Sequence, residues 1–547
     1  MRPLRRAVTA RLAPMLVAAT ALAATACGPL GPPALARDEP VTITLAYITD
    51  LHAQLEPHPE LFWAEGREQV AEAGGVARVA AVVRRLRAER PGRVLFMDGG
   101  DTLVGAAPAA WTEGASMVPA LGALGLDLAT PGDWEVAYGA AALARRAGEL
   151  SYPLIAANVL DGATGRPLFA PCLVATVAGV RVAIVGFTDP DVPLHQPPRR
   201  TLGLRYASPD VLSPLVRGLR RQGVEVIVLL AHVGLPRAVA LAEVVPGVDV
   251  VLSGGTHERT AAPIERGRAW VVEAGSLGSF LGRLDLTVQG GRVVDRRWQL
   301  LELRADRVPA EDPAVQRIVA ATLTPYRARL DRVVGATSAP LARHALVETS
   351  LDDVLTDALR EAAGTDVALS DGFRFGAPIR PGPIRERDLW SAYPLPTRLV
   401  AGRVTGRQLR AFWERALTRV FSRDPANLVG DWAPRVAGMS VRFRAGAGDG
   451  RRLRSLAVGG APVEDTRHYT VVAAEGDGDP ADALGPIAHA RGVRVLEVDA
   501  HEAVRRYLAR HRPLAAPAGG RVVAVDLPGV PRSQTVATGV APLPRTR

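Results

Sequence analysis

Short runs of aliphatic residues recur along the first three hundred positions, and most of them stop at a glycine or an acidic or imidazole group. Residues 42–48 (TITLAYI), 94–97, 127–130, 154–158, 180–187, 224–230, 248–252 and 270–272 read as buried strands. Between them lie stretches of helical period. In residues 70–90, Val76, Val79, Val82, Val83 and Leu86 share one face opposite the arginines, and residues 211–221 repeat the pattern. Strand and helix alternating in this way predict an α/β fold with a largely buried sheet.

The pattern changes at residues 309–335. Val315, Ile318, Leu323, Tyr326 and Leu330 keep a helical spacing, which Pro325 should kink or break. We read this stretch as a helical connector between two domains, 41–308 and 336–526. The second unit carries helical patterns at 351–363 and 405–420, a glycine-rich loop at 370–376, and strand patterns at 439–443 and 469–473. Residues 28–40 read as a flexible leader and 527–547 as a disordered tail rich in proline, threonine and arginine. There is no internal repeat.

An apolar fraction of 48% over 547 residues is ample for two cores. All 66 basic side chains are arginines, and the net charge of +10 is spread along the chain without a basic run interleaved with aromatics. That distribution argues for a generally basic surface and against nucleic-acid binding. Residues 1–27 have the form of an export signal: Arg2, Arg5, Arg6 and Arg11, then an alanine-rich apolar run ending at Cys27. The run is too short to span a membrane comfortably. Cys27 in ATACG resembles a lipoprotein cleavage site, although Ala24 stands where leucine is usual, so lipidation and simple cleavage both remain open. Either way the chain is expected to be periplasmic and monomeric, with Cys172 a small core residue.

The polar groups at the strand ends carry the chemistry. Asp50 and His52 follow the first strand, Asp101 sits in GDT after the second, and Asp133, Trp134 and Glu135 follow the third. His232 and His257 each follow a continuous aliphatic strand. Open α/β sheets place ligands at the carboxyl ends of their strands. Mixed carboxylate and imidazole donors suit borderline divalent cations, and a pair of ions can share one carboxylate, for which Asp101 is the candidate. Taken singly, Asp50-x-His52 also fits a surface turn, and His232 a hydrogen-bonded structural histidine. It is the order of all five segments that points to a metal site.

That order (Asp-x-His, Gly-Asp-Thr, a Gly-Asn-His-Glu-like segment, His-x-Gly and a Gly-His-Thr-His-like segment) resembles the calcineurin-like metallophosphoesterases. With a second domain attached it resembles the 5'-nucleotidase family. Trp111 to Met117, Gly132 to Gly139, Pro246 to Asp249, Ser370 to Gly376, Tyr393-Pro394 and Gly430 to Met439 are most similar to its SoxB-type thiosulfohydrolase branch. The resemblance implies a layered αββα metallophosphoesterase domain followed by a 5'-nucleotidase-type α/β domain. It implies Asp50, His52, Asp101 and His257 as ligands of a first ion, and Asp101, Asp133 and His232 of a second, with two manganese ions as the expected cofactor. It further implies Asp133 and Arg374 as catalytic residues, and Arg374, Trp134 and Asn158 as substrate contacts. The implied reaction is release of sulfate from a sulfonated cysteine on a sulfur-carrier protein.

The chain departs from the nucleotidase pattern in three places. Asp133 and Trp134 replace the Asn-His of Gly-Asn-His-Glu, and Gly255 replaces the first histidine of Gly-His-Thr-His, so the second ion loses an imidazole and its site is expected to be weak or empty. Gly476-Asp477-Gly478 is followed by Asp479, where nucleotidases carry a base-stacking aromatic. The alternatives are a periplasmic 5'-nucleotidase or phosphoesterase, and a binding protein with a decayed metal site.

Overall fold

The computed structural model describes residues 24–26, 39–64, 67–370, 375–424, 427, 432–474, 483–485 and 487–527. Two sheets form the core of the first unit. One has the strand order Arg292–Glu302, Phe280–Gln289, Val41–Ile48, Val94–Asp98, Leu128–Ala129. In the other, Val180–Thr188, Val226–His232, Val250–Gly254 and Ala269–Glu273 run parallel, and Cys172–Val177 pairs antiparallel outside them. Ala24–Ala26 is hydrogen-bonded to the outer edge of Cys172–Val177.

The alternation within Val41–Ile48 explains the layering. Ile43, Leu45 and Tyr47 meet Val182, Ile184, Val228, Leu230 and Leu252 of the second sheet. Ala46 and Ile48 point the other way, onto the helix Val76–Glu89 through Val76, Val79 and Val83. The far face of the second sheet is covered by Leu212–Arg221 and Leu235–Val244. The layers are therefore helix, sheet, sheet, helix, as the resemblance implied. Burying both faces of a strand requires the continuous aliphatic runs seen in the sequence.

Several expectations are corrected in detail. Residues 154–158 form only isolated bridges, Leu154 to Ala129 and Ile155 to Ala170, and the strand lies at Val159–Asp161. Val70 belongs to a hairpin, Pro57–Ala64 with Arg67–Gly74, and the helix starts at Val76. Cys172 is fully buried but disulfide-bonded, not an isolated core thiol. Cys27 and the leader 28–38 lie outside the described residues, as does the tail from 528. No helix among the described residues is long and apolar enough to cross a membrane.

Pro325 does break the connector. The helix Pro313–Leu323 gives way to a 3₁₀ turn at Thr324–Tyr326 and a last short helix, Arg327–Leu330. Beyond it a five-stranded sheet runs in the order Arg435–Ala437, Val367–Ser370, His468–Ala474, Arg398–Thr405, Arg491–Asp499. Ser350–Ala363 and Ala500–Arg510 cover one face, and Gly406–Phe421 the other.

The two units are clamped together next to the first strand. Glu56, four residues past His52, accepts two hydrogen bonds from Arg327 at 2.7 and 2.5 Å and one from Arg387 at 3.1 Å. Trp111 packs edge-on against Trp390 at 5.5 Å, with the Arg329 guanidinium 3.8 Å over its ring. This clamp brings Phe375 of the second unit against the strand ends of the first.

Candidate metal centre

Four of the expected ligands stand on left-handed backbone: Asp50 (φ 53°), His52 (47°), Asp101 (57°) and His257 (58°). Non-glycine residues seldom adopt this conformation, and clusters of it mark functional sites. It arises here because each strand must turn sharply at its carboxyl end to aim a side chain back across the sheet edge. Glycine permits the close approach. A Cβ built on Gly132 would lie 2.1 Å from Asp101 Oδ1.

The side chains converge. His52 Nε2 lies 2.9 Å from His257 Nε2, which is 3.3 Å from Asp50 Oδ1. His232 Nε2 lies 3.3 Å from Asp101 Oδ2 and 3.3 Å from Asp133 Oδ1. Asp101 Oδ2 is also 3.9 Å from His52 Nε2, so it faces both histidines. Two sets of donor atoms each fall within 4.8 Å of one another: Asp50, His52 and His257, and Asp50, Asp101 and His232. Asp50 is common to both, a shared role that the sequence reading gave to Asp101 alone.

The imidazoles are set for ligation. His52 Nδ1 donates to Val104 O at 3.0 Å and His232 Nδ1 to Gly99 O at 2.7 Å. A carbonyl can only accept, so in the neutral rings the bare Nε2 faces the cluster. Such outer bonds are what orient metal-binding histidines. His257 Nδ1 is buried without a hydrogen-bond partner among the described residues.

Burial works on every group here. It pushes His52 down, assisted by the charge of His257, to about 3. It pushes Asp101 well up, and the neighbouring Asp133 carboxylate adds to the rise. In Asp133 and Asp50 burial also raises the carboxyl, but the histidines outweigh it: His232 holds Asp133 at about 2, and His257, His232 and His52 hold Asp50 low. Burial would lower His232, yet Asp101 and Asp133 drive it well up. Buried acids and imidazoles thus compete for a few protons, and a divalent cation neutralises such a cluster better than a proton can. Backbone, tautomer and charge all fit a metal.

Three supports hold these ligands, and of them only Glu135 is marked in the sequence, as a strand-end acid without this role. Glu135 is buried, and its carboxylate accepts from the backbone N–H groups of Asp101 (2.8 Å), Thr102 (2.6 Å), Leu103 (3.1 Å) and Gly132 (2.5 Å), which pins the Asp101 turn. Glu273 pins the His257 turn, accepting from Thr256 N at 3.1 Å and Glu258 N at 2.8 Å. Phe375, from the second unit, packs its ring against both His52 and Trp134. An acidic residue two positions past Asp133 is the only one of these signals the sequence offers.

The remaining expected residues fall differently. Asn158 is fully buried, and its amide is spent on Thr188 O at 2.6 Å, Thr188 N at 3.0 Å and Ala207 O at 3.4 Å. It clamps two loops and is corrected from substrate contact to scaffold. Trp134 stands as a wall beside Asp133, its backbone N–H donating to Asp101 Oδ1 at 2.9 Å. Arg374 lies outside the described residues. Gly255 has φ 101° and donates its N–H to both Asp50 oxygens, at 3.2 and 3.0 Å. A Cβ there would meet His232 Nε2 at 3.2 Å, so the glycine now serves Asp50 where a histidine would crowd His232.

Residues 328–476 match the family model "5'-nucleotidase, C-terminal domain". Over nearly the whole chain the protein is similar to Protein UshA of Yersinia enterocolitica, 23% identical over 88% of this chain and 93% of that one. Protein 5NUC of Lutzomyia longipalpis is 24% identical over 89% and 94%. Among solved structures, the sulfate thiohydrolase SoxB of Thermus thermophilus superposes with a TM-score of 0.80 at 24% identity, over 88% of this chain and 96% of that one. A 5'-nucleotidase precursor from the same species gives 0.76 at 24% identity, over 88% and 99%. With the two-unit fold and the converging ligands, these likenesses lead to one conclusion: the chain is a metal-dependent hydrolase with the two-domain fold of the SoxB and 5'-nucleotidase structures, and its residues 328–476 form a 5'-nucleotidase C-terminal domain.

Proposed function

We propose that this hydrolase releases sulfate from a sulfonated cysteine on a carrier protein, as an exported enzyme working with manganese. The observation that carries this reading is Trp134. It stands beside Asp133 where nucleotidases place a histidine, and an indole can neither take nor give the proton a nucleotide leaving group needs. A sulfur leaving group is a weaker base and needs less protonation. Water oxygen joins the sulfonate sulfur, the S–S bond breaks, and the departing carrier sulfur keeps the bonding pair and takes up a proton.

Divalent cations held by Asp50, His52, Asp101 and His257, and by Asp101, Asp133 and His232, would supply the positive charge that polarises the sulfonate oxygens. The chain's own groups do the rest. The backbone carbonyls behind His52 and His232 fix their ring orientation, and Glu135 and Glu273 hold the ligand turns. Asp133, with its side chain 24% exposed, is the expected group to accept a hydrogen bond from the attacking water and orient it. Arg374 is the expected fork for the anionic oxygens.

Purified protein loaded with manganese should release sulfate from a thiosulfonated carrier. Phosphate release from AMP without any sulfate release would overturn the proposal in favour of a nucleotidase, the reading supported by the similarity to UshA and 5NUC. Convergence of all six ligands argues against a decayed site. Export through residues 1–27 belongs to the same proposal, and the mass and N-terminal sequence of the mature protein check it.

A further inference from the structure

Phe375 is a residue of the second unit lodged in the metal centre of the first. Its ring centroid lies 4.3 Å from that of His52, edge-on at 62°, and 4.8 Å from that of Trp134, at 88°. One ring thus touches a ligand of the first expected ion and the wall beside the second. It is 3% exposed. Its position is braced from behind. The Phe375 carbonyl accepts from Arg343 Nη1 at 3.0 Å, and the same nitrogen donates to Ala392 O at 2.6 Å. Arg343 Nε donates to the fully buried Asp352 at 2.7 Å, and Asp352 also accepts from Arg435 at 3.2 Å. Gly376, at φ 110°, turns the chain away directly after the ring, a conformation other residues rarely adopt.

A side chain merely filling a domain interface would not need a buried arginine on its carbonyl and two edge-on aromatic contacts across that interface. We infer that Phe375, with Trp134, is a steric specificity filter over the metal centre. It admits a tetrahedral anion carried on a narrow arm and turns away one attached to a bulky ring system. Both substrates reach the reacting atom through two atoms, Sγ–Cβ in a sulfonated cysteine and O5'–C5' in a nucleotide. Beyond them the cysteine carries only its Cα and backbone, whereas the nucleotide carries a furanose ring and a base, and it is these rings that the Phe375–Trp134 pair turns away. This inference names the substrate class of the proposed hydrolytic site and rests on that reading.

The test uses the full chain loaded with manganese, as wild type, Phe375→Ala, Phe375→Leu and Phe375→Trp. S-sulfocysteine serves as the narrow substrate and AMP as the bulky one, and the rate of manganese extraction by excess EDTA reports access without turnover. Phe375→Ala should raise the kcat/KM ratio of AMP to S-sulfocysteine about 10-fold and speed extraction by a similar factor, with manganese content per chain unchanged. Phe375→Leu should lie between, and Phe375→Trp should restore exclusion. Should the alanine variant fail to fold, the leucine variant decides. A substrate ratio and an extraction rate within about twofold of wild type, in a variant of normal metal content and Tm, would overturn the filter. Absence of turnover on both substrates would overturn the hydrolytic reading instead, and the extraction rates would still decide access.

Discussion

Asp50 shows most directly how one residue serves the site. Its two oxygens are reached by Thr49 Oγ1 at 2.6 Å and by Gly255 N–H, and the face left over meets His257. These two donors fix the carboxylate, so its direction is set before a cation binds. Glu135 does the same for Asp101 by holding four backbone N–H groups. Glu135→Gln should therefore leave the fold intact and weaken manganese affinity about 10–100-fold, measured by competition with a chelating dye. His257→Ala removes a ligand outright, and elemental analysis should find about one tight ion fewer per chain. Gly255→His should not restore a stronger second site. The left-handed φ and the approach to His232 Nε2 predict a less stable protein with no gain in metal, checked by Tm and metal content together.

At the scale of elements, the helix Glu386–Ala392 ties the connector to the second unit. The Glu386 side chain is fully buried and accepts from Arg332 at 2.8 Å, from Arg505, and from Trp390 Nε1 at 3.2 Å. Burial pushes this carboxyl up, but the arginines outweigh it and hold it at about 2, below its ordinary 4.5. The folded state therefore favours the ionised form. Its stabilisation is complete above about pH 4.5 and is lost as pH falls through about 2. Glu386→Gln should cost about 2–3 kcal/mol at pH 7, and the gap to wild type in urea melts should narrow below pH 4.5. Most elements were legible because a strand buried on both faces must be aliphatic throughout, and Met439–Phe443 falls where the pattern placed it. The hairpin Pro57–Ala64 with Arg67–Gly74 was not, because its pairing is between strands and its sequence, PHPELFWA and REQVAEAG, has no strong period.

At the scale of the molecule, the second unit is held rigid by a few buried charges. Asp352, between Arg343 and Arg435, is the centre of one such group. Asp352→Asn leaves two buried guanidinium groups short of a counter-charge and should destabilise the chain by about 3–5 kcal/mol in denaturant melts. Because Arg343 also holds the Phe375 carbonyl, the same variant should loosen the filter and speed manganese extraction. Removing metal should lower Tm, and titrating manganese back should raise it in proportion to the logarithm of free ion, since the cation binds only the folded arrangement.

The sequence by itself determined the α/β class, most of the strand cores and which acids and imidazoles stand at strand ends. These depend on local periodicity and on which side chains stand at strand ends, and both are written along the chain. Tertiary structure alone decided that Asp50 is shared, that Glu135 and Glu273 pin the ligand turns, that Asn158 is scaffold, and that Phe375 crosses from the second unit to cover His52. Each of those depends on where residues tens to hundreds of positions apart come to lie. Only the closing of both sheets and the clamp at Glu56 and Trp111 sets those distances.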